Sequence, residues 1–523
     1  MAIDVYTGEF GSKELTHLLK RCLFGVKRAD ISSLSGKSLT FVVDYLLQDL
    51  PIPSPPINNY NDANASDATV QAGAVWVNAS YGDGTINGRR VTSFKSWWVG
   101  QMLTQQVSLT EKMVLFWHNH FATQTSTVSD SRYIYKHNNL LRTMAFGNFK
   151  QLVKQITIDP AMLRYLNGYA SSRTAPDENY ARELQELFTM GKGPNSKYTE
   201  ADVKAAARLL TGFQLDATNI TSTFNPSRHD STDKQFSSFY NNKLIKGRTL
   251  ADGAKEVDDL MDMLFAQNEL SLYICRRLYR FFVYYEISAS TEANFIAPLA
   301  ELFRNSNYQI KPVLKALFTS SHFFLPQNRS CNIKSPIDFT VGLCREFEIV
   351  FPDGLDYVNL YYMYDYIRGQ ASTIQQNVGD PPNVSGWPAY YQEPQYYELW
   401  INSDTLPKRN AFTDRFIANG YTRNSRKIAI DPLAYTAGFT KAEDPDQLVN
   451  DVIAHLYTID ISAEVKGFLK SILLSNQTTN NYWTEAWRNY VLSPNDTAKK
   501  NIVLTRLKEF YKYVMNLEEY QLS

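Results

Sequence analysis

Glu183 and Glu186 stand three residues apart on Asn179–Met190, a stretch whose apolar residues Ala181, Leu184, Leu187 and Phe188 recur at helical spacing. That spacing lets two carboxylates converge on one side of a helix. Such a pair can act as acid and base, or can hold a divalent cation. Arg182, between them and the helix start, can orient an anionic substrate group. The competing reading is a helix knitted by Glu178–Arg182 and Arg182–Glu186 pairs at i,i+4.

A second reactive grouping follows in the polar loop Phe224–Lys234, which reads FNPSRHDSTDK. His229 and Asp230, shortly before Lys234, are residue types that a metal or general-base site uses. An Asx-type turn uses the same residues. The functional expectation joins the two groups across one cleft. Glu183, Glu186, His229 and Asp230 are its candidate catalytic residues, and Glu183, Glu186 and His229 its candidate metal ligands. Arg182, Lys234, Asn383 and Trp387 are the candidate substrate contacts. Asn383 and Trp387 lie in the aromatic loop Gly379–Trp400, where an indole face can stack on a sugar and an amide can bond its hydroxyls. Against that stands a Pro-locked loop whose Trp387 plugs the core. In FWHNHF, His118 and His120 fall about 200° apart on a helix, so they cannot share one metal, and buried, hydrogen-bonded histidines are expected.

The elements that must position these residues are helices. Leu15, Leu18, Leu19, Cys22 and Leu23 form one stripe, stopped at Gly25. Thr199-Glu200-Ala201-Asp202 reads as a capping box opening a helix whose buried face is Val203, Ala206, Ala207 and Leu210. Strand signals are few, with one possible hairpin around Phe236–Ile245. The expected fold is all-α: a large multi-helical globular protein with long irregular loops and at most a small β-hairpin. Its expected organisation is N-terminal helices over 1–50, an irregular insertion or flap over 51–92, a central helical domain over 93–350, a tyrosine-rich loop region over 351–410 and C-terminal helices over 411–523.

Composition excludes several classes. Lys+Arg and Asp+Glu are equal at 53 each, which removes the long-range pull toward nucleic acid. No apolar run approaches the roughly 20 residues of a transmembrane helix. The start lacks a basic segment followed by an apolar one, so no signal peptide is visible. There is no GxSxG elbow, P-loop, HExxH, or GxGxxG after a strand. The four cysteines, Cys22, Cys275, Cys331 and Cys344, form no CxxC pair and read as small buried hydrophobes.

In order along the chain, the sequence carries THLLKRCLFG (Thr16–Gly25), FWHNHF (Phe116–Phe121), NYARELQELFTMGKG (Asn179–Gly193), YTEADVKAAARLLTGF (Tyr198–Phe213) and FNPSRHDSTDK. RRLYRFFV (Arg276–Val283), KSPID (Lys334–Asp338), PPNVSGWP (Pro381–Pro388) and EYQLS (Glu519–Ser523) follow. These segments resemble the bacterial family known as domain of unknown function 1800, in a Bacteroidetes-like version. The resemblance implies functional weight for His17, Arg21, His120, Asn179, Arg182, Glu183, Glu186, Thr199, Asp202, His229, Asp230, Lys234, Asn383 and Trp387. It also implies an exported or cell-envelope location and a sulfatase-like protein, encoded nearby, as partner. Two functions are therefore expected in competition. One is a metal-assisted hydrolase-like enzyme of the cell envelope using the Glu/Glu/His/Asp cleft. The other is a non-enzymatic scaffold or binding partner, for the sulfatase-like protein or a surface glycan, with the tyrosine-rich segment Asp356–Trp400 as its surface.

Overall fold

Gly25 ends the N-terminal helix Ser12–Cys22 at a point where two backbones touch. Its φ is 77°, and a Cβ there would lie 2.5 Å from the Cα of Gly342. Only glycine permits both the positive φ and the approach. The N-terminal helix is thereby locked against the helix Pro336–Glu346, which carries the KSPID segment. Leu18 and Leu19 are fully buried, and burying each contributes about 1.5–3 kcal/mol.

This computed structural model describes residues 3–523. It is 58% helical and 5% strand, which makes the chain an all-α protein. The middle is built by the helices Gly84–Thr104, Thr110–His120 and Ser131–Thr143, and by Asn268–Phe282. The helix Thr405–Ala418 packs on Thr497–Asn516 near the chain's end. One connected apolar core runs from Leu15 to Tyr520, so the five expected segments share it.

Three differences from expectation have local causes. The described residues hold three two-stranded antiparallel sheets, where at most one small hairpin was expected. Phe213–Asp216 pairs with Thr221–Phe224 because Asp216 accepts the N–H groups of Thr218 and Asn219 and bends the chain back. Tyr421–Arg423 pairs with Arg426–Ile428 across Asn424 and Ser425, both at positive φ as a tight hairpin turn requires. Second, the tyrosine-rich region is not loop throughout. Tyr357–Thr373 is a helix, packed so closely on Gly84–Thr104 that a Cβ on Gly100 would lie 2.5 Å from the Tyr364 ring. Third, the acidic helix changes pitch: Glu178–Glu183 is α, and Leu184–Thr189 widens into a π turn. Such turns recur at functional sites, and this one carries Glu186.

Candidate functional site

The capping box forms as expected. Thr199 accepts from the Asp202 N–H, and the Asp202 carboxylate accepts from the Thr199 N–H at 2.7 Å. Asp202 also takes the N–H and hydroxyl of Ser237, each at 2.7 Å, which pins the polar loop to the helix Glu200–Leu209. The loop is thus held by the same helix that packs on the acidic one.

Within that frame the expected catalytic residues separate. His229 is buried, and both of its ring nitrogens face oxygen acceptors. Nδ1 lies 3.0 Å from the Thr211 carbonyl and Nε2 lies 3.1 Å from Glu256 Oε1. Both nitrogens are occupied by partners within the protein. Lys234 is fully buried and donates to Glu256 Oε2 at 2.6 Å and to the Asp230 carbonyl. The Asp230 carboxylate accepts from Arg208 Nε at 2.7 Å; burial pushes it up, but Arg208 and Thr232 together bring it down to about 2. Burial also raises Glu256, yet hydrogen bonds from His229, Lys234 and the Arg248 N–H outweigh this and hold it below the usual range. The centre of this group is Glu256, which sequence spacing had not marked. Its only signal was an acidic first turn on the helix Glu256–Phe265. A buried His–Glu–Lys cluster with every partner satisfied ties loop to helix.

Glu183 and Glu186 have other neighbours. Glu186 pairs with Lys192 at 2.8 Å. Glu183 is half-buried, and burial together with the charge of Glu186 raises its carboxyl above the ordinary range. Arg182 is shared between Glu178, at 3.2 Å, and Glu200. Among the described residues, no three His, Cys, Asp or Glu side chains converge as a metal site would need. The expected ligands Glu183, Glu186 and His229 form no such group, and both His229 nitrogens face Thr211 and Glu256. Lys234, expected at the substrate, is buried against Glu256. Trp387 is buried, with its backbone N–H donating to Asn119 Oδ1 at 2.8 Å and its ring packed near His118, so it plugs the core. Asn383 stays exposed and bonds the Tyr391 hydroxyl at 3.1 Å. His118 and His120 are both buried on one helix, and His120 Nε2 lies 3.0 Å from the Phe188 carbonyl.

A different set of motif residues does converge. Lys20 and Arg21 of THLLKR, Arg280 of RRLYRFFV, and Ser335 and Asp338 of KSPID line one cavity of about 40 Å³. Tyr390, Tyr396, Tyr397 and Trp400 of the tyrosine-rich segment close its other side, with Lys112 and Tyr285. Arg21 is buried and donates to the carbonyls of Val283 at 3.1 Å and Asn328 at 2.8 Å, with Cys331 Sγ at 3.0 Å. Cys331 is therefore half-buried against a guanidinium, whereas Cys22, Cys275 and Cys344 are the buried hydrophobes expected. Directly behind the wall, Lys334 and Arg409 are also buried. A much larger hollow, about 970 Å³, lies elsewhere, and its two ion pairs, Glu111–Arg142 and Asp49–Lys311, are already made.

A family model described as a protein of unknown function, DUF1800, matches residues 17–522. No curated protein and no solved structure matches the chain. The match takes in every segment that converges on the acidic helix, the polar loop and the basic cavity, and the chain belongs to this family of proteins of unknown function, DUF1800.

Proposed function

We propose that this chain is a binding protein of the bacterial cell envelope, whose ligand or partner engages the cavity beneath the tyrosine-rich segment. The observation that carries this reading is the gathering of Lys20, Arg21, Arg280, Ser335 and Asp338 around one small cavity, from motifs far apart in sequence. The residues first expected to do chemistry support it from the other side. His229, Asp230 and Lys234 are consumed by Glu256, Thr211 and Arg208. The partner that fits the family resemblance is the sulfatase-like protein encoded nearby, or a surface glycan.

The test is retention of that partner by the wild-type chain, by a Tyr285→Ala/Tyr396→Ala double variant at the cavity mouth, and by Glu183→Gln. Loss in the double variant with full retention in Glu183→Gln is expected. The reverse pattern would return the function to the acidic helix.

A second reading is favoured by one observation, the raised carboxyl of Glu183 beside Glu186. A carboxylic acid that keeps its proton next to an ionised neighbour is the arrangement of a general acid. In this reading Glu183 gives up a proton, and Lys192 holds Glu186 beside it at 2.8 Å.

A further inference from the structure

The walls of the basic cavity hold more positive charge than the protein neutralises. Lys20, Arg21, Lys112 and Arg280 line it, and Lys334 and Arg409 stand behind it. Against these six cations the same region sets three carboxylates, Asp338, Glu346 and Glu393. Lys20 pairs with Glu346 at 2.8 Å, and Lys112 pairs with Asp338. Lys334 reaches the already engaged Glu346 only at 3.8 Å, and Arg280 reaches Glu393 only at 4.0 Å. Arg21 and Arg409 are buried with carbonyl, amide and thiol partners but no carboxylate. A buried cation without a counter-ion is costly, and the cost shows. Burial, with help from Lys20 and Arg409, draws Lys334 down to about 8; burial draws Arg409 down to about 9.

The unmade hydrogen bonds point the same way. Arg21 Nε, Tyr397 Oη and Trp400 Nε1, on residues lining the cavity, are buried without a partner, as are Arg409 Nε and Gln521 Nε2 nearby. All five are atoms able to donate. Donors and cations in excess are complemented by a ligand that only accepts and that carries negative charge. About 40 Å³ holds roughly three waters, which is the scale of one oxyanion group and too small for a sugar ring. Arg21, buried in the wall without a carboxylate partner, calls for an anion.

We propose that the cavity is a receptor for a single tetrahedral oxyanion group, a phosphate monoester or a sulfate ester. Arg21, Tyr397 and Trp400 donate to it, and the body of the ligand leaves past Tyr285 and Tyr396. This inference rests on the binding reading above and names the chemistry of the same site.

The experiment is titration of the full chain with inorganic phosphate, inorganic sulfate and, at matched ionic strength, chloride. It is followed by calorimetry and by thermal unfolding. Saturable one-to-one stabilisation by phosphate or sulfate but not chloride is expected. Affinity that strengthens from pH 6 to 8 identifies phosphate, whose second ionisation falls near pH 6, and pH-independent affinity identifies sulfate. Tyr397→Phe is the decisive variant, because its hydroxyl makes no bond in the ligand-free protein. It should leave ligand-free stability unchanged or slightly higher while weakening the anion at least tenfold. Arg21→Gln should abolish binding. If Tyr397→Phe lowers ligand-free stability and leaves the anion response intact, the proposal is overturned. Equal stabilisation by chloride, or non-saturable stabilisation in every variant, also overturns it. If neither oxyanion binds but the double variant at the mouth still loses its partner, the ligand class is wrong and the binding reading stands. If both fail, both fall.

Discussion

Glu183 sits where its spacing puts it, but its surroundings change its acidity. Helical geometry put it beside Glu186, and the structure keeps it there, half-buried with its carboxyl raised. The sign of the consequence follows from proton linkage. Across the window from the ordinary carboxylate value up to the raised one, the folded state binds more protons than the unfolded chain. Stability therefore falls as pH rises through that window, and the penalty is fully present at neutral pH. Glu183→Gln should raise the melting temperature at pH 7 by roughly 1–2 °C and should lose that advantage near pH 3. Thermal unfolding of both proteins at the two pH values checks it. The ionic partners of Arg182 were half legible: the i,i+4 bond to Glu178 follows from spacing, whereas Glu200 comes from the next helix. The burial of Trp387 was legible too, as the Pro-locked alternative, but its anchor Asn119 was not. Nothing in a sequence 268 residues apart announces that hydrogen bond.

At the scale of elements, the loop Phe224–Lys234 and the helix Glu256–Phe265 are joined by one buried carboxylate. Removing Glu256 leaves Lys234 charged and sealed from water, whereas removing Lys234 leaves Glu256 with His229 and the Arg248 N–H. Glu256→Ala should therefore cost about 3–5 kcal/mol, and Lys234→Met clearly less. Denaturant unfolding of the two variants measures the difference. Because Glu256 is held below its usual value, its contribution is complete above about pH 4.5 and disappears as pH falls through the lowered value. Acid unfolding of Glu256→Gln should accordingly lack a step that the wild type shows. Helix starts and stops were readable because capping chemistry is local, as at Thr199 and Asp202. The π turn at Leu184–Thr189 was not, since one widened turn leaves the apolar spacing almost unchanged. The hairpin at Asn424–Ser425 left a signal, a polar pair between short β-prone runs, but it was too brief to outweigh helical neighbours.

For the whole molecule, the all-α class was legible from periodicity, and the basic cavity was not. Most of the segments that build it were visible as motifs, though Lys112 and Tyr285 lie outside them, and spacing along a chain says nothing of which motif ends meet in space. Charge balance was misleading at this scale, because equal totals conceal six cations gathered against three carboxylates. The gathering has a measurable pH signature. Lys334, drawn by burial to about 8 from an ordinary 10.5, binds fewer protons folded than unfolded across that interval. The wild type should gain stability relative to Lys334→Met as pH rises from 8 to 10, and added phosphate or sulfate should flatten the trend. Magnesium, manganese or zinc should leave the melting temperature within about 1 °C, since no metal-binding cluster forms among the described residues.

The most direct measurement is an experimental density map of the protein grown with selenate, whose selenium scatters anomalously and stands in for sulfate or phosphate. One anomalous peak enclosed by Arg21, Tyr397 and Trp400 is predicted. Peaks confined to exposed lysines, with that cavity empty, would contradict the assignment of the binding site.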